Sequence, residues 1–359
     1  MIRTGASAEL AARFAELKID ALLVSALPNI RYLAGFTGSN GLLLVTPKDA
    51  TLFTDPRYTI QAAEQVAGRA RAKTIRGPLV AAAAQMIAAR RLKRIGFEAG
   101  RMLYDAWQRL KEALPLGASL RPIRAVVEEL RMVKTEQEIE LIRQAVITNS
   151  QALESTLPSI KPGVSESDIA AELEYQMRRH GAERPSFETI VAAGARTALP
   201  HAEPGAKRLA GDQLLLIDMG ATREGYASDM TRMLFAGKPG RKIQAMYNAV
   251  LEAQLAAIDA VREGVTAAQV DRAARRVLSR AGLEKAFVHS TGHGLGLEIH
   301  EPPRLGKKDT TKLRAGMTIT IEPGAYIEKL GGVRIEDTVL VTRTGCEVLT
   351  PTSKELTLL

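Results

Sequence analysis

The chain has 359 residues, 46% hydrophobic and 25% charged, the composition of an ordinary globular protein and a length that exceeds one hydrophobic core. A net charge of +9 would suit a nucleic-acid binder, but Lys and Arg are scattered among acids and aromatic residues make up only 4%, which argues against that class. The single cysteine, Cys346, excludes an internal disulfide and a cysteine metal cluster, and it fits a reducing, cytoplasmic setting.

The opening MIRTGASAELAARFAEL mixes charges into an Ala-rich helical pattern, without the continuous apolar core of a signal peptide, and no later run reaches membrane-spanning length. The first third then alternates short apolar runs with helical stretches: ALLVSA, GLLLVT and ATLFTD as strands, TIQAAEQVAG and LVAAAAQMIAARR as helices, RIGFEA as a further strand. This is α/β patterning. Near residue 125 it gives way to a polar helical stretch, AVVEELRMVK, and TEQEIELIRQA restarts behind a capping box of Thr135 and Glu138. The spacing predicts a small α/β domain over 1–124, a linker helix over 125–134 and a second domain over 125–359.

The second domain carries a diverged internal repeat. KPGVSESDIAAELEYQMRRHG, from Lys161, matches REGVTAAQVDRAARRVLSRAG, from Arg262, at a constant offset of 101. Each copy has a helix start, Ser165 with Asp168 and Thr266 with Gln269, and a glycine able to end the helix, Gly181 and Gly282. Each is preceded by another long helix and followed by a strand. LLIDMGA falls on ITIEPGA, placing Asp218 opposite Glu322, and SDMT falls on IEDT, placing Asp229 near Glu336. An approximate two-fold axis would bring all four carboxylates towards one point. Buried together they stay ionised only if cations neutralise them, so the repeat points to a metal centre.

Four of the five histidines lie on two repeat-related loops, His201 in LPHAEPG and His289, His293 and His300 in HSTGHGLGLEIHEPP. A helical zinc pair is excluded by Gly292, Gly294 and Gly296, and the zinc-protease signature by Pro302 and Pro303. No phosphate-binding glycine loop and no G-x-S-x-G elbow is present. What remains is an acid-rich, histidine-supplemented centre for two divalent ions, hard enough to favour manganese or cobalt-like ions. Such centres hydrolyse peptides.

IDMGA, SDMTR, GHGLGLEIHE, TIEPGAY and GGVRIEDT closely resemble the pita-bread-fold metallopeptidases of family M24, and within them the proline-specific branch, Xaa-Pro dipeptidase (prolidase) and Xaa-Pro aminopeptidase. TGSNG and TDPRY resemble the smaller creatinase-like α/β domain that precedes the catalytic domain in that branch. The resemblance implies an α+β catalytic domain with pseudo-two-fold duplication. It implies a peptidase that cleaves the Xaa-Pro bond at the amino terminus of dipeptides or short peptides. Asp218 and Asp229 would bind one metal, Asp229 and Glu336 would bridge both, and His293 and Glu322 would complete the second. The ions would be manganese, with cobalt or zinc as alternatives.

By the same resemblance Glu322 would also carry the proton, and His201, His289 and His300 would line the substrate site. Arg334 is expected to pair with a bridging acid, Thr231 to hydrogen-bond a ligand carboxylate, and Arg57 to reach a substrate carboxylate from a neighbouring subunit or to form a local salt bridge. A homodimer is implied, with no nucleic-acid or membrane partner. The rivals are a methionine-aminopeptidase-like enzyme, a non-catalytic peptide- or nucleic-acid-binding member of the fold, and a creatinase-like metal-free hydrolase; the last two typically lose ligands that are intact here.

Overall fold

The structure, a computed structural model, describes residues 6–359 and divides into two compact units, one ending at Arg131 and one running from Met132 to Leu359. Residues 1–5, the start of the Ala-rich pattern, lie outside the described residues. Ala6–Ala12 and Phe14–Leu17 are helical.

In the first unit the short apolar runs become β1 (Ala21–Val24), β2 (Gly41–Val45), β3 (Ala50–Thr54), β4 (Arg71–Thr74), β5 (Arg94–Glu98) and β6 (Ser119–Ile123). They form one mixed sheet in the order β4-β3-β2-β1-β5-β6, with β1 antiparallel to β2 and parallel to β5. The Ala-rich helix Leu79–Ala89 packs Ala83, Ala84 and Ile87 against Leu23, Leu44, Phe53 and Ile95 of the sheet. Its small side chains let the helix approach closely.

A buried polar network closes this unit. Glu98 accepts the amides of Ser25 and Ala26 at 2.6 and 2.8 Å and Asn29 Nδ2 at 2.6 Å. Asn29 in turn donates to Glu128 at 3.0 Å and accepts from Arg131 Nη1 at 2.6 Å. Those partners correct the expected 125–134 helix, which runs only over Val126–Arg131 and buries Glu128 and Arg131. After it the backbone extends, with Val133 bridging Met317 and the Lys134 amide on the Gly316 carbonyl at 2.9 Å.

The second unit repeats itself element by element. Its first copy has helices Glu136–Thr156 and Glu166–Arg179, its second Arg241–Asp259 and Ala267–Arg280. Thr135 and Thr266 close capping boxes with Glu138 and Gln269, and Ser165 Oγ accepts the Asp168 amide. The loops before the shorter helices match in detail, with the Gly163 amide on Leu209 O at 2.7 Å and the Gly264 amide on Leu313 O at 2.9 Å. Gly181 and Gly282 follow the helix ends at φ 99° and 72°, a conformation that disfavours any residue with a Cβ.

The strands follow in chain order: β7 (Arg184–Pro185), β8 (Ile190–Ala193), β9 (Gln213–Met219), β10 (Ala221–Arg223), β11 (Tyr226–Ala227) and β12 (Met230–Ala236). The second copy supplies β13 (Gly292–Gly294), β14 (Glu301–Leu305), β15 (Thr318–Ile321), β16 (Gly324–Ile327), β17 (Gly331–Arg334) and β18 (Asp337–Val341). β8-β9-β12 lie side by side in one sheet and β13-β15-β18 in another. β9 and β12 are antiparallel with Asp218 facing Thr231, and β15 and β18 are antiparallel with Ile321 facing Asp337.

β9 is buried on both faces. Leu214 and Leu216 enter a core with Phe235, Val250, Val270 and Ile319, whereas Leu215 and Ile217 enter a second core with Leu153, Leu173 and Met177. An uninterrupted apolar run is what a strand covered on both sides requires. Among the described residues no helix is long and apolar enough to cross a membrane.

Because the two caps do the same work in the two copies, Ser165→Ala and Thr266→Ala should each cost about 1 kcal/mol in urea unfolding. Unequal losses beyond about twofold would mean that the copies do not rely on their caps alike.

Candidate metal centre

The strand ends set the acids. Asp218 is the penultimate residue of β9 and Glu322 directly follows β15; Asp229 directly precedes β12 and Glu336 directly precedes β18. The copies are then tied across: the Glu336 amide donates to Thr231 O at 3.3 Å, and Thr338 Oγ1 donates to Asp229 O at 3.0 Å. Side-chain exposure falls from 16% for Glu322 to 11% for Asp218 and 7% for Asp229, and Glu336 is 2% exposed, so Glu322 is the acid nearest solvent.

One carboxylate oxygen each from Asp229 and Glu336 and one nitrogen of His293 lie within 4.8 Å of one another. His293 Nε2 is 3.6 Å from Asp229 Oδ2 and 3.4 Å from Glu322 Oε1. Its Nδ1 faces the Gly294 carbonyl at 3.0 Å, which assigns the proton to Nδ1 and leaves the Nε2 lone pair turned to the acids. Burial also lowers the pKa of this ring, favouring the neutral form that a ligand needs.

Three of the acids are strongly perturbed. Burial first, and then the charges of neighbouring acids, push Asp229 and Glu336 well above the usual carboxylate range. Burial pushes Glu322 to about 7, with Arg334 opposing it. Among the described residues, Asp218 Oδ1, Asp229 Oδ1 and Glu336 Oε1 are buried side-chain oxygens without a hydrogen-bond partner. Three such atoms in one cluster are expensive to leave unsatisfied. Divalent cations would satisfy all three, and the set of hard oxygens with one imidazole nitrogen suits them.

Arg334 differs from expectation. Its Nη2 donates to Asp218 Oδ2 at 2.5 Å, not to a carboxylate expected to bridge, because its Nε is taken by Thr231 Oγ1 at 3.0 Å. Thr231 passes the contact on, donating to Glu336 Oε2 at 2.7 Å. Although burial opposes its charge, Tyr326, Asp218 and Glu322 hold the Arg334 guanidinium well above its ordinary pKa.

Two other histidines approach the same region. His289 Nε2 is 2.9 Å from Tyr326 Oη, and the His300 ring meets the His293 ring edge-on with centroids 4.4 Å apart. Burial lowers the pKa of His289 to about 4 and also lowers that of His300. His201 lines a cleft of about 660 Å³ with Arg196, Leu199, Pro200 and Glu203. His180 stands apart in role, its Nε2 on Ser155 Oγ at 2.9 Å. In the first unit, the exposed Arg57 is engaged by Asp55 through Nε at 2.9 Å and Nη2 at 2.8 Å, which fills its fork.

The sequence did not single out Tyr326, which accepts from Arg334 Nη1 at 2.8 Å and reaches His289. Nor did it single out Arg232, which donates to the Glu336 carbonyl at 2.6 Å and to Asp337 Oδ1 at 2.7 Å. Asp337 also takes Lys354 Nζ. The available signal was their place inside TIEPGAY, SDMTR and IEDT.

Residues 140–343 match the model of metallopeptidase family M24, and residues 7–133 match that of the creatinase/prolidase N-terminal domain. The chain belongs to metallopeptidase family M24. Among relatives of this M24 member, the Xaa-Pro dipeptidase of Pyrococcus horikoshii is 38% identical over 94% of each chain. Of solved structures, an Xaa-Pro dipeptidase from Bacillus anthracis matches with TM-score 0.96 at 39% identity over 99% of each chain. The X-Pro aminopeptidase from Thermotoga maritima matches with TM-score 0.92 at 35% identity over 100% of each chain. The M24 member thus has the expected pita-bread catalytic domain behind a creatinase-like amino-terminal domain, and the family's chemistry rests on divalent metal ions.

The raised acids predict a pH signature. Burial lowers the pKa of His289, His293 and His300, a contribution to stability that rises with pH until those rings are neutral in the unfolded chain as well, at about pH 7.5, whereas the raised carboxyls still bind protons only in the fold. Above about pH 7.5 metal-stripped protein should therefore lose stability as pH rises, and added manganese should raise the melting temperature more at about pH 8.5 than at about pH 7.5. A manganese effect that shrinks with pH in scanning fluorimetry would contradict the clustered, proton-binding acids.

Proposed function

We propose that this M24 member is an Xaa-Pro peptidase that uses two divalent ions, manganese with cobalt or zinc as alternatives, to release an amino-terminal residue that precedes proline. In this reading Asp218, Asp229, His293, Glu322 and Glu336 would hold the two ions. The observation that carries it is the trio of unpartnered buried oxygens on Asp218, Asp229 and Glu336 beside the His293 lone pair. The bound ions would supply a nucleophilic water at neutral pH and polarise the scissile carbonyl.

The chain's own groups do the rest. Glu322, the acid nearest solvent and steadied by Thr320 Oγ1 at 3.3 Å, takes the proton from the attacking water and returns it to the leaving nitrogen. His300, exposed beside His293, would donate to the oxygen on which charge develops. Arg334 fixes Asp218 from behind. Ionised, the four acids and Arg334 sum to three negative charges; two divalent ions turn that into one positive charge, the sign that suits a developing oxyanion.

An Xaa-Pro bond is a tertiary amide without N–H, so a site that accepts it must recognise the ring and the free amino end without that donor. His201 at the cleft, and His289 and His300 nearer the acids, offer donors and apolar ring faces of that kind. The dipeptidase and aminopeptidase activities named for the similar proteins support this substrate class. We extend the reading to a cytoplasmic homodimer.

The test is hydrolysis by metal-stripped protein, with and without manganese, of Gly-Pro, an Xaa-Pro-Yaa tripeptide and a Met-Ala peptide. Manganese-dependent release before proline is expected, with kcat lowered about 10²–10⁴-fold by Glu322→Gln and about 10²-fold by His300→Ala. Preference for Met-Ala would replace proline specificity with methionine-aminopeptidase-like activity. Turnover unaffected by Glu322→Gln would remove its assigned role.

A further inference from the structure

The loop 287–291 brings His289 to the site, and the helix Ala267–Arg280 holds that loop through two charged residues. Asp271, 1% exposed, accepts the Thr291 amide at 3.2 Å and Thr291 Oγ1 at 2.9 Å on one oxygen, and Arg275 Nε at 2.7 Å on the other. Arg275 then reaches forward, with Nη2 donating to the His289 carbonyl at 2.5 Å and Nη1 to the Phe287 carbonyl at 3.3 Å. Its guanidinium carbon lies 4.2 Å from the centroid of the Phe287 ring, and that ring meets His289 edge-on at 5.1 Å.

Both the backbone and the ring of His289 are thereby fixed. Nδ1 faces the Ser290 carbonyl at 2.8 Å, so it carries the proton, and Nε2 accepts from Tyr326 Oη. Tyr326 accepts from Arg334, and Arg334 donates to Asp218. A continuous line of contacts thus runs from the helix to the acid cluster.

The other copy contains a second clamp. Glu166, also 1% exposed, accepts the Ala193 amide at 2.8 Å, the Gly205 amide at 3.2 Å and Arg196 Nε at 3.0 Å, and Arg196 Nη2 donates to the Glu203 carbonyl at 2.7 Å. The segment so held contains His201. At the offset of 101, however, Glu166 falls on Ala267 and Asp271 falls on Ala170. A pair retained passively from the duplication would recur at equivalent positions. These do not, yet each copy uses a buried acid and an arginine to hold a histidine-bearing loop.

We propose that Asp271 and Arg275 are positioning residues for the reaction, acting through His289 by fixing its loop so that the ring stays on Tyr326 and faces the substrate. The proposal rests on the reading of His289 as part of the peptidase site. Groups that orient a functional histidine typically contribute about 10–100-fold.

The test is a double-mutant cycle on the manganese-loaded full chain with Gly-Pro as substrate. Arg275→Met should lower kcat about 10–100-fold with KM changed less than about threefold, and Arg275→Lys, which keeps charge but not the fork, should fall between. In a His289→Ala background the same Arg275→Met change should cost less than about threefold. Equal factors in both backgrounds, or lower melting temperature with kcat unchanged at 25 °C, would overturn the proposal. If Arg275→Met fails to fold by near-UV circular dichroism, the Arg275→Lys cycle decides by the same criterion.

Histidine 1H–13C spectra keep the positioning question separate from the substrate question. The resonance identified by its loss in His289→Ala should move in Arg275→Met and not in Arg196→Met. Should the unaltered protein hydrolyse no Xaa-Pro peptide, the functional reading fails, and an unmoved His289 resonance would defeat the positioning proposal independently.

Discussion

Mutual repulsion among four buried carboxylates is the constraint on which the second unit depends. Asp218, Asp229, Glu322 and Glu336 are brought together by strand ends, and burial alone would drive Asp229, Glu322 and Glu336 to protonate. The surroundings oppose that outcome only in part. Arg334 supplies one buried cation and Thr231 one donor, while oxygens on three of the acids stay without a protein partner. The fold has placed charge where only cations can complete it, and its other devices serve to keep that charge in place. Arg232, for example, grips the carbonyl of Glu336 and neutralises Asp337 beside it, so the strand entering β18 does not add a free acid to the cluster.

A second consequence concerns rigidity. Each acid stands at the end of a strand whose neighbour belongs to the same copy, yet the link between copies runs through Thr231, Glu336, Thr338 and Asp229. Two packed sheets meeting through such bonds can hold ligand atoms to within a fraction of an ångström, as a metal site demands. His293 lies in β13, but His201 and His289 are on loops, where the scaffold holds less tightly. That difference explains why buried acid–arginine pairs appear beneath the His201 and His289 loops.

What the sequence disclosed follows from what repeats. Caps, helix-ending glycines and the acid pairs recur at nearly constant offsets, so duplication made them legible even without knowledge of the fold. Side chains with partners far away in sequence were harder to read. Tyr326 gains its place only when β16 and β17 pair and Arg334 arrives beside it, and Asp337 is neutralised by residues 105 positions before and 17 after it. Arg334 was recognised as important but given the wrong acid, because distance along β17 does not reveal which strand its guanidinium crosses. The stretch AVVEELRMVK read as a longer helix since its pattern is helical throughout; a bridge from Val133 to Met317 overrides propensity at its end.

Each copy holds two of the four acids, Asp218 and Asp229 in the first, Glu322 and Glu336 in the second, and neither pair alone encloses the cluster. A protein half this length could have built such a site only by pairing with itself. Holding both copies in one chain makes the cluster independent of protein concentration, which a site shared between two separate chains would not be.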